Sequence, residues 1–257
     1  DISKAYADQH EMIYMPLKTN MDGVEYLDGI TLTHEEFYQR LPDCRVLPTT
    51  SQVAPYDYQK AFERIRADGD QAVVITISGR LSGTAQSAAL AAKHFADCVR
   101  VVDSENATVG EYILVQYAAR LRASGLDFNA IADELEKSRH SVCLIGMVDT
   151  LEYLVKGGRL SKAAGIAGTL LGIKPVVGVE DGVIISLGRA RGSRQSSNLL
   201  TQTIEKKGGI DFSMPLMLAY SGVDDALLKG YIENSRALWE GRADRLHVNT
   251  MGSTRGT

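Results

Sequence analysis

Short runs of apolar, β-branched residues alternate with helical patterns along the first half of the chain. Residues 73–77 and 99–102 are apolar at nearly every position, as in strands that are covered on both faces of a parallel sheet. Helical patterns follow them at residues 84–92, 108–123 and 127–139. Strands and helices that alternate at this spacing form right-handed βαβ units. We therefore expect an N-terminal three-layer α/β/α domain with a parallel sheet over residues 1–140.

Capping and turn residues place the other elements of this half. Thr33 and Glu36 have the spacing of a capping box, which opens a helix through residue 41. The segment from Asn20 to Gly23 predicts a turn between two strands. The remaining predictions are a helix at residues 3–11, strands at 12–17 and 24–26, a loop at 48–52 and a helix at 56–68.

The pattern changes in the second half of the chain. Two apolar runs at residues 175–180 and 183–187 flank Asp181-Gly182, which predicts a β-hairpin. The other predicted elements are strands at 142–148, 214–220 and 246–250, a short helix that ends at Gly157-Gly158, and helices at 162–171, 194–207 and 224–239. A hairpin together with helices and strands indicates a C-terminal mixed-sheet α/β domain over residues 141–257.

Composition and charge narrow the class of protein. The chain has 257 residues, a formal net charge of −4 and 44% hydrophobic residues, which is ordinary for globular domains. An acidic balance gives no reason to expect nucleic acid, and the apolar stretch around residues 163–179 is interrupted by Lys174-Pro175, so no membrane span is predicted. Three widely separated cysteines indicate reduced thiols and a cytoplasmic location. Because the sequence opens on Asp1 without methionine and stops at Thr257, we expect the natural chain to extend beyond both ends.

Small polar residues separate the apolar run at 73–77 from the helix that follows. Ser82, Gly83 and Thr84 place hydroxyls and bare backbone where a helix begins, and unpaired N–H groups at that end attract anions. Ser-Gly turns are also ordinary N-caps that bind nothing. A second hydroxyl-rich segment, with Thr49, precedes another helix. We expect a carboxylate or phosphate to bind at one or both segments.

Other chemistries lack their motifs. No glycine-rich dinucleotide loop, Walker loop or metal-ligand spacing occurs, so neither a cofactor nor a metal is predicted. Ser82 falls one residue short of a hydrolase nucleophile elbow and no histidine can be assigned as its base, so we interpret its hydroxyl as a hydrogen-bond donor. Two alternatives stay open: an enzyme that binds a small phosphorylated metabolite at the Ser-Gly loop, and a sensor of such a molecule.

Several motifs occur in one order along the chain. They are PTTSQ at residues 48–52, ISGRLSGTAQS at 77–87, VDS at 102–104, VDTLEYL at 148–154, GGRLS at 157–161 and IKP at 173–175. Together they resemble the DegV family of bacterial fatty-acid-binding proteins, over nearly the whole chain. The resemblance implies two domains with a long-chain fatty acid between them, presented to a separate fatty-acid kinase that forms an acyl phosphate for phospholipid synthesis.

The resemblance also implies roles for individual residues. Thr49 and Ser82 would hydrogen-bond the fatty-acid carboxylate, with Gly83 and Thr84 nearby. Arg159 would lie at the mouth of the site and assist phosphoryl transfer. The protein itself would be a lipid-binding substrate carrier and not an enzyme. A basic loop at residues 189–194, with Arg189, Arg191 and Arg194, is our own candidate for kinase docking, although such a run can also be a solvated face.

Overall fold

The computed structural model describes residues 2–161, 172–239, 241 and 246–251. Within these ranges the helices are α1 (Lys4–Gln9), α2 (His34–Arg40), α3 (Pro55–Ala67), α4 (Thr84–Ala92), α5 (Thr108–Ala123), α6 (Phe128–Ser138), α7 (Glu152–Lys156), α8 (Gly192–Lys206), α9 (Ala226–Asn234) and α10 (Arg236–Trp239). The strands are β1 (Lys18–Met21), β2 (Val24–Leu27), β3 (Thr49–Ser51), β4 (Ala72–Thr76), β5 (Val99–Asp103), β6 (Ile145–Met147), β7 (Ile173–Glu180), β8 (Val183–Arg191), β9 (Met217–Tyr220) and β10 (His247–Thr250). The helix predicted at residues 162–171 lies outside the described residues.

The predicted parallel sheet of the first half is present, with helices on both faces. Strands β4 and β5 pair in parallel from Ala72 opposite Val99 to Thr76 opposite Asp103. Val74 packs into the cluster formed by α3 and α4, whereas its neighbour Ile75 packs into the cluster formed by α5 and α6. Successive side chains of a strand point to opposite faces, so an apolar run is what this position between two helical layers requires.

Local signals set the helix boundaries of this half. Helix α5 spans the predicted residues 108–123. The Asp127 carboxylate accepts hydrogen bonds from the backbone N–H groups of Asn129 and Ala130 at 2.9 Å and caps α6. The Thr33–Glu36 capping box is formed at the start of α2. These ends depend on side chains only two or three residues away, which is why sequence reasoning located them.

Two predictions near the N-terminus are wrong. The strand expected at 12–17 is absent from this part of the chain, and the more polar β1 pairs instead with β2 across the Asp22-Gly23 turn. The segment predicted as a loop at 48–52 contains β3, which pairs with the other edge of β1. Met15 and Leu17 do pack against the core cluster of α3 and α4. Their apolar character therefore reflects burial of side chains and not membership of a strand.

The second half combines antiparallel and parallel pairing. Strands β6, β7 and β8 form an antiparallel sheet, and β9 and β10 pair in parallel. The predicted hairpin turn is formed by Asp181 and Gly182, whose φ angles are 48° and 74°, as a type I′ turn requires. Val176 packs with Leu200 and Trp239, and Val177 packs on the opposite face with Leu151 and Leu160. The fold is thus a mixed α/β fold, consistent with a two-domain layout.

Two further boundaries differ from the prediction. The basic segment at 189–194 is not a loop, because Arg189 and Arg191 belong to β8 and Arg194 to the first turn of α8. The helix predicted at 224–239 is interrupted at Ser235, which caps α9 with φ −110° before α10 begins.

None of the helices in the described ranges is long and apolar enough to span a membrane.

Candidate functional site

The turn between β4 and α4 brings the predicted hydroxyls together. The Ser78 carbonyl accepts hydrogen bonds from the N–H groups of Leu81 and Ser82 at 3.0 and 3.1 Å, which folds the turn back on itself. Ser82 Oγ then lies 2.9 Å from Thr84 Oγ1 and accepts the Thr84 N–H at 3.3 Å. Gly83 is the N-cap of α4. Two hydroxyls thus lie at the positive end of a helix, where an anion is favoured.

The hydroxyl-rich segment before α3 contacts this turn through Gln52. The Gln52 side-chain N–H donates to Ser87 Oγ at 2.7 Å, and a Cβ on Gly83 would overlap Gln52 Oε1. Thr49 is exposed at the start of β3, opposite Asn20 of β1. It precedes Gln52 by three residues, which is about 10 Å of extended chain. The two predicted segments therefore meet, and Gln52, which sequence reasoning left without a role, makes the contact.

Arg159 lies against the same turn from the second half of the chain. Its Nε donates to the Leu81 carbonyl at 3.2 Å, and its Nη1 donates to the Gly157 carbonyl at 2.6 Å. Arg159 and Leu81 are far apart in sequence. Their contact places the guanidinium next to the residue that precedes Ser82. A cation in this place favours a negatively charged ligand at the hydroxyls.

The carboxyl ends of β4 and β5 are filled by the tip of the β7–β8 hairpin. The buried Ser78 hydroxyl donates to the Gly182 carbonyl at 2.7 Å, and Arg80 Nη1 donates to the Asp181 carbonyl at 3.0 Å. Asp103 holds the two loops beneath the tip, because its carboxylate accepts the N–H of Gly79 at 3.0 Å and that of Glu105 at 2.9 Å. Ligands usually bind at such strand ends. Here the protein occupies this place. In the turn that follows, Ser82 is half-buried and Thr84 is buried.

The three basic residues proposed for docking lie elsewhere. Arg189, Arg191 and Arg194 are exposed. Arg189 and Arg191 follow Gly182 by seven and nine residues along β8, or about 23 and 30 Å at the usual rise of a strand. They therefore form a surface separate from the Ser82 turn.

Sequence reasoning missed Gln52, Asp103 and the hairpin tip. Gln52 directly follows β3, and Asp103 is the last residue of β5. The Asp181-Gly182 turn was predicted from the sequence, but its contacts were not. Nothing local indicates which distant backbone a turn will contact.

Among the residues that the structure describes, no group of His, Cys, Asp and Glu side chains is arranged to hold a metal ion.

Comparison with known proteins places the chain in a family. The family model described as "Uncharacterised protein, DegV family" matches residues 1–257. The chain belongs to the DegV family. A DegV domain-containing protein from Clostridium perfringens is 32% identical over 235 residues, which cover 88% of this chain and 80% of the relative.

Solved structures of other proteins share the fold. A protein from Thermus thermophilus, described as a fatty-acid-binding DegV family protein, has a TM-score of 0.85 and 30% identity, with coverage of 99% of this chain and 90% of that one. A stearic-acid-binding protein from Eubacterium ventriosum has a TM-score of 0.81 and 27% identity, with coverage of 99% and 87%. DegV from Bacillus subtilis, described as a fatty acid binding protein, has a TM-score of 0.78 and 26% identity, with coverage of 99% and 90%. These similarities confirm the expected mixed α/β class.

Proposed function

We propose that this DegV-family chain binds a long-chain fatty acid and presents its carboxylate to a fatty-acid kinase. The carboxylate binds at Ser82, Gly83 and Thr84, with Thr49 contributed by the neighbouring segment. The acyl chain lies between an N-terminal domain of residues 1–140 and a C-terminal domain of residues 141–257. Binding takes place in the cytoplasm, and the chain is a substrate carrier without catalytic activity of its own.

One observation supports this proposal above the others. Two hydroxyls 2.9 Å apart lie at the N-terminal end of α4, and Arg159 lies against the same turn. A desolvated carboxylate needs such donors, because an unpaired buried charge is very costly. Each donor to a charged group contributes about 1.5–3 kcal/mol. The acyl chain adds about 0.8 kcal/mol for each buried methylene.

The descriptions of related proteins support the same ligand class. The solved relatives from T. thermophilus, E. ventriosum and B. subtilis are described as binding fatty acids, and each aligns over 99% of this chain. The motifs that suggested the family include the residues at the Ser82 turn, so the shared fold and the local chemistry favour the same type of ligand.

The kinase partnership adds two roles. Arg159 assists phosphoryl transfer at the mouth of the site, because a guanidinium next to the turn would stabilise charge on a transferring phosphoryl group. Arg189, Arg191 and Arg194 dock the kinase, since they form an exposed basic surface at the junction of β8 and α8. The product is an acyl phosphate, which serves phospholipid synthesis.

Native mass spectrometry of protein purified from a bacterial host tests ligand identity. We expect an adduct with the mass of a long-chain fatty acid, which organic extraction removes and added fatty acid restores. If only a phosphorylated polar metabolite were found, the proposal would be wrong and the alternative of a metabolite-binding enzyme or sensor would replace it. Acyl-phosphate formation with a fatty-acid kinase and ATP then tests the partnership, and we expect Arg159→Ala to lower its rate by a larger factor than it lowers the affinity for the fatty acid.

A further inference from the structure

Gln52 joins the two segments that supply the proposed carboxylate ligands. Its side-chain N–H donates to Ser87 Oγ at 2.7 Å, and Ser87 is buried within α4, with 3% of its surface exposed. This bond links the residue after β3 to the helix whose N-terminal end holds Ser82 and Thr84. It is a contact between residues 35 positions apart in sequence, so it fixes two separate parts of the fold relative to each other.

The other half of the Gln52 amide lies on Gly83. A Cβ on Gly83 would overlap Oε1 and would lie 2.8 Å from Cδ and 3.2 Å from Nε2. The amide therefore occupies the space that a side chain at position 83 would need, and only glycine leaves room for it. Because the carboxylate is proposed to bind beside Gly83, the Gln52 side chain borders the ligand position directly.

The neutrality of Gln52 also matters at this place. Glutamate has nearly the same shape, but its carboxylate would put a negative charge beside the helix end that attracts the ligand. Gln52 is exposed, so solvent screens part of this repulsion, but like charges a few ångströms apart still repel each other at a protein surface. The glutamine side chain has the same length as that of glutamate and also forms hydrogen bonds, but it carries no charge and so causes no such repulsion.

We infer that Gln52 is a positioning residue of the head-group site, which holds the Thr49 strand against the Ser82–Thr84 turn and keeps the site free of negative charge. The inference rests on the proposed function, because it specifies the residue that sets the geometry and charge of that site. It assigns to the PTTSQ motif at residues 48–52 a second functional side chain besides Thr49.

Paired probes separate a charge effect from a loss of structure. We would measure binding of oleate and of oleyl alcohol, which has the same chain without the charge, to the wild type, Gln52→Glu and Gln59→Glu. Gln59 is the matched control, because it is an exposed glutamine on α3 that donates to Glu63. We expect Gln52→Glu to weaken oleate binding about tenfold to a hundredfold, to change oleyl alcohol binding less than about threefold, and Gln59→Glu to leave both unchanged.

A double-mutant cycle tests the positioning role. Thr49→Ala should weaken oleate binding about tenfold in the wild type but about twofold or less in Gln52→Ala, because Thr49 is no longer held at the site. Equal losses for oleate and oleyl alcohol in Gln52→Glu, or additive effects in the cycle, would overturn the inference while the proposed function stands. A wild type that binds neither probe would overturn both. If Gln52→Ala does not fold, the isosteric Gln52→Glu comparison still decides.

Discussion

Replacing Gly182 with alanine tests whether the tip of the β7–β8 hairpin fastens the second half of the chain to the strand ends of the first. The chain offers a matched control in Gly23, which occupies the same place in the β1–β2 turn. Both glycines have positive φ angles, 74° at Gly182 and 85° at Gly23. The surroundings differ, because a Cβ on Gly182 would lie 2.6 Å from Ser78 Oγ, whereas one on Gly23 would have nothing within 4 Å.

The magnitudes follow from these surroundings. Alanine in the left-handed region costs about 1–2 kcal/mol, and the stiffer unfolded chain returns about 0.4–1 kcal/mol. We therefore expect Gly23→Ala to lower the free energy of unfolding by about 0.5–1 kcal/mol. Gly182→Ala must in addition displace the tip and break its bond from Ser78. The Ser78 oxygen still accepts the Arg80 N–H at 3.2 Å, but its buried O–H donor is left without a partner, which costs about 1–3 kcal/mol more. The expected total is about 1.5–4 kcal/mol.

Urea unfolding can measure both variants. Trp239 is the single tryptophan of the sequence and is buried in the core cluster of the second half, so its fluorescence reports that half, while far-UV circular dichroism reports both. In a Ser78→Ala background the clashing oxygen is absent, and the cost of Gly182→Ala should fall to that of Gly23→Ala. Equal costs for the two glycine variants in the wild-type background would refute the reasoning.

Two other predictions concern ligand binding and pH. Thr49→Ala and Ser82→Ala should each weaken fatty-acid binding in calorimetry by about tenfold to a hundredfold, because each removes one donor to a charged group. Ser124→Ala, at an exposed serine, is the control. Unchanged affinity in the double variant would show that the head group lies elsewhere. Hydrogen bonding to the Arg66 guanidinium lowers the pKa of the Asp97 carboxyl below its usual value. Asp97 therefore adds stability that is present above about pH 4, near its unfolded pKa, and is lost as the pH falls through its lower folded pKa. The stability difference between the wild type and Asp97→Asn should accordingly shrink below that pH in urea unfolding, and a constant difference would contradict the assignment.

The features that sequence reasoning located are those encoded within a few residues. The apolar runs of β4 and β5 imply cover on both faces, Asp127 and Thr33 cap helices through their nearest neighbours, and Asp181-Gly182 specifies a tight turn by its own backbone preferences. Each of these signals is contained in one element or one turn. The proximity of the Ser82 and Thr84 hydroxyls could be predicted for the same reason, because the two residues lie in one turn.

The features that sequence reasoning missed depend on distant pairing. Strand β3 is a strand because β1 lies beside it, and its polar residues give no apolar pattern. Gln52 contacts Ser87, and Ser78 contacts a carbonyl 104 residues away. Contacts of this kind are decided by how whole layers pack, and a single sequence gives no local sign of the partner.

The hairpin tip is held by its backbone and not by its side chains. Ser78 and Arg80 donate to the carbonyl oxygens of Gly182 and Asp181, and every amino acid has such an oxygen. Position 181 can therefore change during evolution without loss of the attachment, provided that the new residue accepts the bend. An insertion in the turn would break the attachment. One extra residue would alter the direction of both carbonyls and turn the following side chains to the wrong face of the sheet. In this turn natural variation should accordingly alter the residue type but conserve the length.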